Sequence, residues 1–182
     1  IDGASIEDLV VDIVPEDPFN LIYSSGTTGE PKGIEQSHYM RNQHVVRFEA
    51  MGFSSGSVTL ISTALYSNTT LVAMLPTLAL GGRVVLMPKF DTEKFLKLSE
   101  AEKVSHTMLV PVQYQRILAH ADFDKYDLSS FELKMSTSAP LREGVKQDAL
   151  NRWPGKLIEI YGLTEGGIGT ALSVTEFPDK LA

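Results

Sequence analysis

The chain has 182 residues, 43% of them apolar and 21% charged, which excludes wholesale disorder and suffices for one domain with a buried core. Its 16 Lys and Arg against 23 Asp and Glu give a net charge of −7, which argues against a nucleic-acid scaffold, since phosphate backbones are held by dense Lys and Arg. There is no Cys, which excludes disulfides, thiolate metal sites and a Cys nucleophile and fits a reducing, cytoplasmic setting.

The start, Ile1-Asp2-Gly3-Ala4, has no basic or apolar targeting region and no Met, and reads as an internal start. Residues 1–17 are acidic and, with Pro15 and the following Pro18, read as a linker; the domain is expected over residues 18–182. Phe19 to Tyr23 is an apolar strand candidate, followed by a Ser/Thr/Gly loop from Ser24 to Gly33. Ser37 is suited to cap a helix carrying Met40, Val45, Phe48 and Met51. Val58 to Ser62 is the next strand. Thr70 to Leu80 reads as an apolar helix interrupted by Pro76 and ended by Gly81-Gly82. It contains the longest apolar run, Leu71 to Leu75, far short of the roughly 20 residues of a membrane span. Arg83 to Met87 is a strand, and Asp91 caps a helix with Phe95 and Leu98 on its inner face. Thr107 to Val110 is a strand, and Pro111 opens a helix through Ala119. Leu133 to Ser136, Arg142 to Trp153 and Leu157 to Tyr161 read as strand, helix and strand.

Strands joined by helical crossovers predict an α/β fold with a doubly wound, mostly parallel sheet and helices on both faces. Ligands in such sheets sit beyond the carboxyl ends of the strands.

Two loops carry chemistry. In Tyr23-Ser24-Ser25-Gly26-Thr27-Thr28-Gly29-Glu30-Pro31-Lys32-Gly33 the glycines let the backbone aim N–H groups at an anion, the hydroxyls can donate to phosphate oxygens, and Lys32 adds a positive charge. The bland alternative is a plain surface turn. The spacing matches neither a Walker loop nor a Gly-x-Gly-x-x-Gly dinucleotide turn. In Tyr161-Gly162-Leu163-Thr164-Glu165-Gly166-Gly167, Thr164 could bond a phosphate and Glu165 could hold Mg²⁺, which prefers carboxylate oxygen. A βα turn with a solvated Glu is the alternative. His38, His44, His106 and His120 have no metal-ligand spacing and read as surface or capping residues. Trp153 before Pro154 reads as packing at a helix end, and the Asn68-Thr69-Thr70 sequon as incidental.

Taken together, Tyr-Ser-Ser-Gly-Thr-Thr-Gly-x-Pro-Lys-Gly followed by Tyr-Gly-x-Thr-Glu resembles the adenylate-forming superfamily of acyl- and aryl-CoA synthetases, luciferases and peptide-synthetase adenylation domains. Ser138-Ala139-Pro140-Leu141 is similar to its Gly-Ala-Pro-Leu stretch, and the resemblance runs from about Pro18 to the end. It implies part of that family's large N-terminal AMP-binding domain. The implied reaction is ATP-dependent activation of a carboxylic acid followed by transfer to coenzyme A, with ATP, Mg²⁺ and coenzyme A as cofactor and co-substrates. By resemblance Ser24, Ser25, Gly26, Thr27, Thr28, Gly29 and Lys32 embrace the β- and γ-phosphates, Thr164 contacts the α-phosphate, and Glu165 holds the metal. Ser138, Ala139 and Pro140 border adenine and the acyl group, with Tyr161 and Gly162 close by.

The substrate stretch is Leu65-Tyr66-Ser67-Asn68. It lacks the Asp of amino-acid-activating relatives, which favours a fatty or aryl acid, and has Ser67 where many acyl-CoA synthetases have His. Tyr66 either contacts the substrate or packs in the core. The family's later Thr-Gly-Asp turn and small C-terminal domain with its catalytic Lys have no counterpart, so the chain reads as an internal piece that is inactive alone. Surfaces left bare by such a cut are expected to pair with a second copy. The competing reading is a stand-alone nucleotide-binding module without catalysis.

Overall fold

The computed structural model of the chain describes residues 11–24, 30–165 and 167–180. The first two strands, β1 (Pro18–Ser24) and β2 (Lys32–Ser37), form an antiparallel hairpin of their own, with Ser24 opposite Lys32 at the end where the chain passes from β1 to β2. Helix α1 (His38–Ala50) follows, capped by Ser37, whose Oγ accepts from the Met40 amide at 3.2 Å. Then come β3 (Val58–Ile61), α2 (Asn68–Ala79, with Pro76 inside it), β4 (Arg83–Leu86) and α3 (Thr92–Ala101). Asp91 caps α3, its Oδ1 accepting from the Lys94 amide at 2.8 Å. The chain continues through β5 (His106–Leu109), α4 (Pro111–Leu118), β6 (Leu133–Ser136), α5 (Glu143–Arg152), β7 (Lys156–Leu163) and β8 (Gly167–Ser173).

The main sheet has the order β4-β3-β5-β6-β7-β8; β3 through β7 pair in parallel, and β8 runs antiparallel to β7. Successive side chains of a strand point to opposite faces, so neighbouring apolar residues enter two cores. Leu60, Leu109 and Leu157 meet Phe95 and Leu96 of α3, Tyr114 and Ile117 of α4, and Ala149 of α5. Ile61, Met108, Met135 and Ile160 meet Phe48 of α1 and Val72 and Ala73 of α2. Helices therefore cover both faces, as the crossover lengths predict. Trp153, 1% exposed, ends α5 inside the first core, ringed by Phe95, Tyr114, Phe123 and Phe131 at centroid distances of 5.2–5.9 Å.

Three expectations need correction. The strand at Phe19 to Tyr23 belongs to the separate hairpin, not to the parallel sheet, and its partner β2 has no apolar alternation to announce it. Tyr161, Gly162 and Leu163 belong to β7, which runs to Leu163 with a register irregularity at Tyr161/Gly162, and the element after Thr164 and Glu165 is the antiparallel strand β8 rather than the helix of a βα turn. His44 and His106, expected at the surface or as caps, are buried at 2% and 1% exposure.

Candidate functional site

Ser24 and Lys32 face each other at the end where the chain passes from β1 to β2, Ser24 half-buried and Lys32 exposed. Ser25, Gly26, Thr27, Thr28 and Gly29, which complete the expected phosphate cradle, lie outside the described residues.

A buried polar network ties the base of this hairpin to the second motif. Gln36 of β2, 1% exposed, donates from Nε2 to the Thr164 carbonyl at 2.7 Å and to Asn68 Oδ1 at 3.4 Å. Its Oε1 accepts from Arg41 of α1 and from Asn20 Nδ2 at 3.3 Å. Arg41 also donates from Nε to Asn20 Oδ1 at 2.9 Å. Burial pushes the Arg41 guanidinium down to about 10, and burial, with Arg41 and Arg47 nearby, pushes the His44 imidazole down to about 4. Thr164 is thus half-buried against the hairpin, whereas Glu165, next along the turn, is exposed.

The Ser138-Ala139-Pro140 stretch follows β6. Ser138 adopts φ of 76°, a left-handed conformation uncommon for a residue with a side chain. The stretch is anchored from β7: Glu159 Oε1 accepts from the Leu141 amide at 2.6 Å, while Glu159 Oε2 pairs with Lys146 of α5 at 2.7 Å. Between this stretch and β7–β8 lies a cavity of about 410 Å³, bordered by Ser138, Ala139, Pro140, Tyr161 and Gly162. A second cavity of about 120 Å³ shares Ser138 and Gly162 and reaches Thr164, Asn68, Thr69 and Met108. Thr69 Oγ1 and Ser138 Oγ lie 3.4 Å apart across their junction. Both cavities lie against the stretch beyond the carboxyl end of β6, the end at which parallel sheets hold ligands.

Tyr66 and Ser67 line neither cavity. Tyr66 is 85% exposed, which removes the core-packing alternative, and Ser67 is the N-cap position of α2. Their neighbours Asn68 and Thr69 line the smaller cavity instead. No cluster of three or more His, Asp or Glu suited to a metal occurs among the described residues. A single carboxylate nonetheless fits Mg²⁺, which keeps several waters and takes one or two carboxylates beside substrate phosphates; exposed Glu165 has that character. Sequence reasoning missed Gln36, Asn20, Arg41 and Glu159. A polar residue in a short polar strand reads as solvated, and only the same-face spacing of Ile34 and Gln36 hinted otherwise.

The model of the AMP-binding enzyme family matches residues 4–181. The chain belongs to the AMP-binding enzyme family. It is 34% identical over 167 residues to 4-coumarate–CoA ligase-like 8 of Arabidopsis thaliana, covering 88% of this chain and 30% of that protein. It is 31% identical over 171 residues to the feruloyl-CoA synthase of Amycolatopsis sp, covering 93% and 35%. The chain therefore spans about a third of the length of such relatives. Among solved structures it resembles ATP-bound MatB from Rhodopseudomonas palustris, with a TM-score of 0.84, 29% identity, and coverage of 94% of this chain and 34% of that one. The N-terminal domain of FACL13 from Mycobacterium tuberculosis superposes with a TM-score of 0.88 at 22% identity, a likeness of fold, over 98% and 45% of the two chains.

Proposed function

We propose that this chain is the nucleotide- and acid-binding part of an AMP-forming acid–CoA ligase. One observation carries the reading: a single cavity of about 410 Å³ is bordered by Ser138, Ala139 and Pro140 on one side and by Tyr161 and Gly162 on the other, beside the turn that holds Thr164 and Glu165. In the proposed reaction the acid carboxylate attacks the α-phosphorus of ATP, the bond to pyrophosphate breaks, and acyl-adenylate forms. The thiol of coenzyme A then attacks the acyl carbon and displaces AMP. Adenylation replaces oxide, a poor leaving group, by AMP.

Catalysis of the first step is positioning plus stabilisation of charge on phosphorus. Ser24, Ser25, Gly26, Thr27, Thr28, Gly29 and Lys32 are assigned to the β- and γ-phosphates, and Thr164 to the α-phosphate. Glu165 would hold Mg²⁺, which when bound neutralises charge between the phosphates. The larger cavity is assigned to adenine, bordered by Ser138, Ala139, Pro140, Tyr161 and Gly162. The smaller cavity is assigned to the acid, with Tyr66 and Ser67 at its approach.

Relatives named for 4-coumarate and ferulate favour an aryl propenoic acid over a fatty acid. The test is ATP–pyrophosphate exchange by the protein that carries this chain, with 4-coumarate, ferulate, benzoate and fatty acids of several lengths. Exchange that depends on 4-coumarate or ferulate is expected. Nucleotide binding without exchange for any acid would favour a non-catalytic nucleotide module.

A further inference from the structure

Gln36 lies outside every motif, yet it joins the two that matter. It is 1% exposed, and its amide bridges three elements: β2 that carries it, α2 through Asn68, and the β7–β8 turn through the Thr164 carbonyl. Its orientation is fixed by chemistry. Arg41 can only donate, so the Gln36 oxygen must face Arg41 and the NH₂ group must face the two oxygens of Asn68 and Thr164. Arg41 is fixed in turn, with its Nε on Asn20 Oδ1 at 2.9 Å and its NH1 3.5 Å from His44 Nδ1. The 2.7 Å bond to Thr164 spans 128 positions of sequence. It is the described polar side-chain contact that fastens the turn to the hairpin.

We infer that Gln36 is a positioning residue: it holds the Thr164–Glu165 turn in register with the phosphate-cradle hairpin. The inference rests on the ligase reading of the site. If the hairpin grips the β- and γ-phosphates while the turn serves the α-phosphate, both parts must stay fixed relative to each other as phosphorus is attacked. An ångström of drift in such a part can cost about 100-fold in rate. On that reading the phosphate cradle and the adenine cavity would hold ATP in the ground state without the tie, so losing it affects kcat more than the KM for ATP.

Gln36→Glu tests this. The variant keeps the length and the oxygen facing Arg41, but it sets a carboxylate oxygen against the Thr164 carbonyl. Two readouts are taken on the protein that carries the chain: 4-coumarate-dependent ATP–pyrophosphate exchange, and backbone hydrogen exchange of residues 162–165. The expected result is a 10- to 100-fold fall in kcat, with the KM for ATP within about threefold. Hydrogen exchange in the turn should rise about tenfold or more while β5 keeps its protection. An unchanged turn, or a loosened turn with kcat within about twofold of wild type, overturns the inference. Should the wild type fail to exchange pyrophosphate with any acid, the ligase reading falls separately, and the tie is judged on hydrogen exchange alone. If Gln36→Glu does not fold, Gln36→Met, of similar length and uncharged, carries the same two readouts.

Discussion

Glu165 concentrates the chemistry of the second loop in one carboxylate. It is exposed at the β7–β8 turn, beside a Thr164 fastened through its carbonyl. Glu165→Gln keeps the size and removes the charge, leaving a much weaker ligand for a hard cation. Negative charge builds on phosphorus during adenylation, so that half-reaction should slow by roughly 100- to 1000-fold, the scale of losing one preorganised electrostatic group. Transfer from supplied acyl-adenylate to coenzyme A does not involve pyrophosphate and should change far less. Adenylation within about threefold of wild type, worth well under 1 kcal/mol, would return Glu165 to the role of a solvated turn residue. At this scale the sequence was informative where chemistry is local. Gly, Ser, Thr and Lys in a short loop, and Thr-Glu after Tyr-Gly, name their own candidates. Gln36 and Glu159 were illegible, because their roles come from partners far along the chain: Thr164 for one, Leu141 and Lys146 for the other.

Among the elements, the crossover strands and helices were readable from apolar spacing, and Ser37 and Asp91 cap the helices their positions suggested. The hairpins were not, because Lys32 to Ser37 has no alternating apolar pattern and Gly167 to Ser173 follows a glycine-rich turn that reads as loop. The end of α5 was only half legible: Trp153 was expected to pack there, but its polar support comes from β6. Lys134, fully buried, reaches Nζ to the carbonyls of Trp153, Pro154 and Gly155 at 2.9, 2.5 and 2.7 Å. Burial pushes this amine down to about 7, while the three carbonyls match the three N–H bonds of its charged form. The carbonyls after a helix end are orphan acceptors, and a cation there also suits the helix dipole. Lys134→Met preserves the apolar stem and removes the donors. Leaving the carbonyl of buried Trp153 and its more exposed neighbours without this donor should cost about 1–3 kcal/mol, read as a lower denaturation midpoint. An unchanged midpoint would mean that the chain past Arg152 finds other donors.

Over the whole molecule, two cores share one sheet, and the core under α1 and α2 hides two histidines that must stay neutral. His44 packs on α1 beside Arg41; His106 begins β5, 4.2 Å from the Phe53 ring, with its Nδ1 2.7 Å from Ser105 Oγ. Burial holds both near a pKa of about 4, against 6.5 when free. The unfolded chain therefore takes up protons between pH 6.5 and 4 that the folded chain refuses. Stability rises with pH wherever the unfolded state binds more protons, so it must fall as the solution is acidified through this window. Lys134, held near 7, is already charged over most of that range and adds little to the slope. From pH 7 to pH 5 each histidine should cost on the order of 2 kcal/mol, a large share of the 5–15 kcal/mol typical of a domain. Urea unfolding at the two pH values checks this, with His44→Gln and His106→Gln each removing about half of the difference. Equal stability at pH 7 and pH 5 would mean that this face of the sheet opens to water readily enough for its imidazoles to be protonated without unfolding.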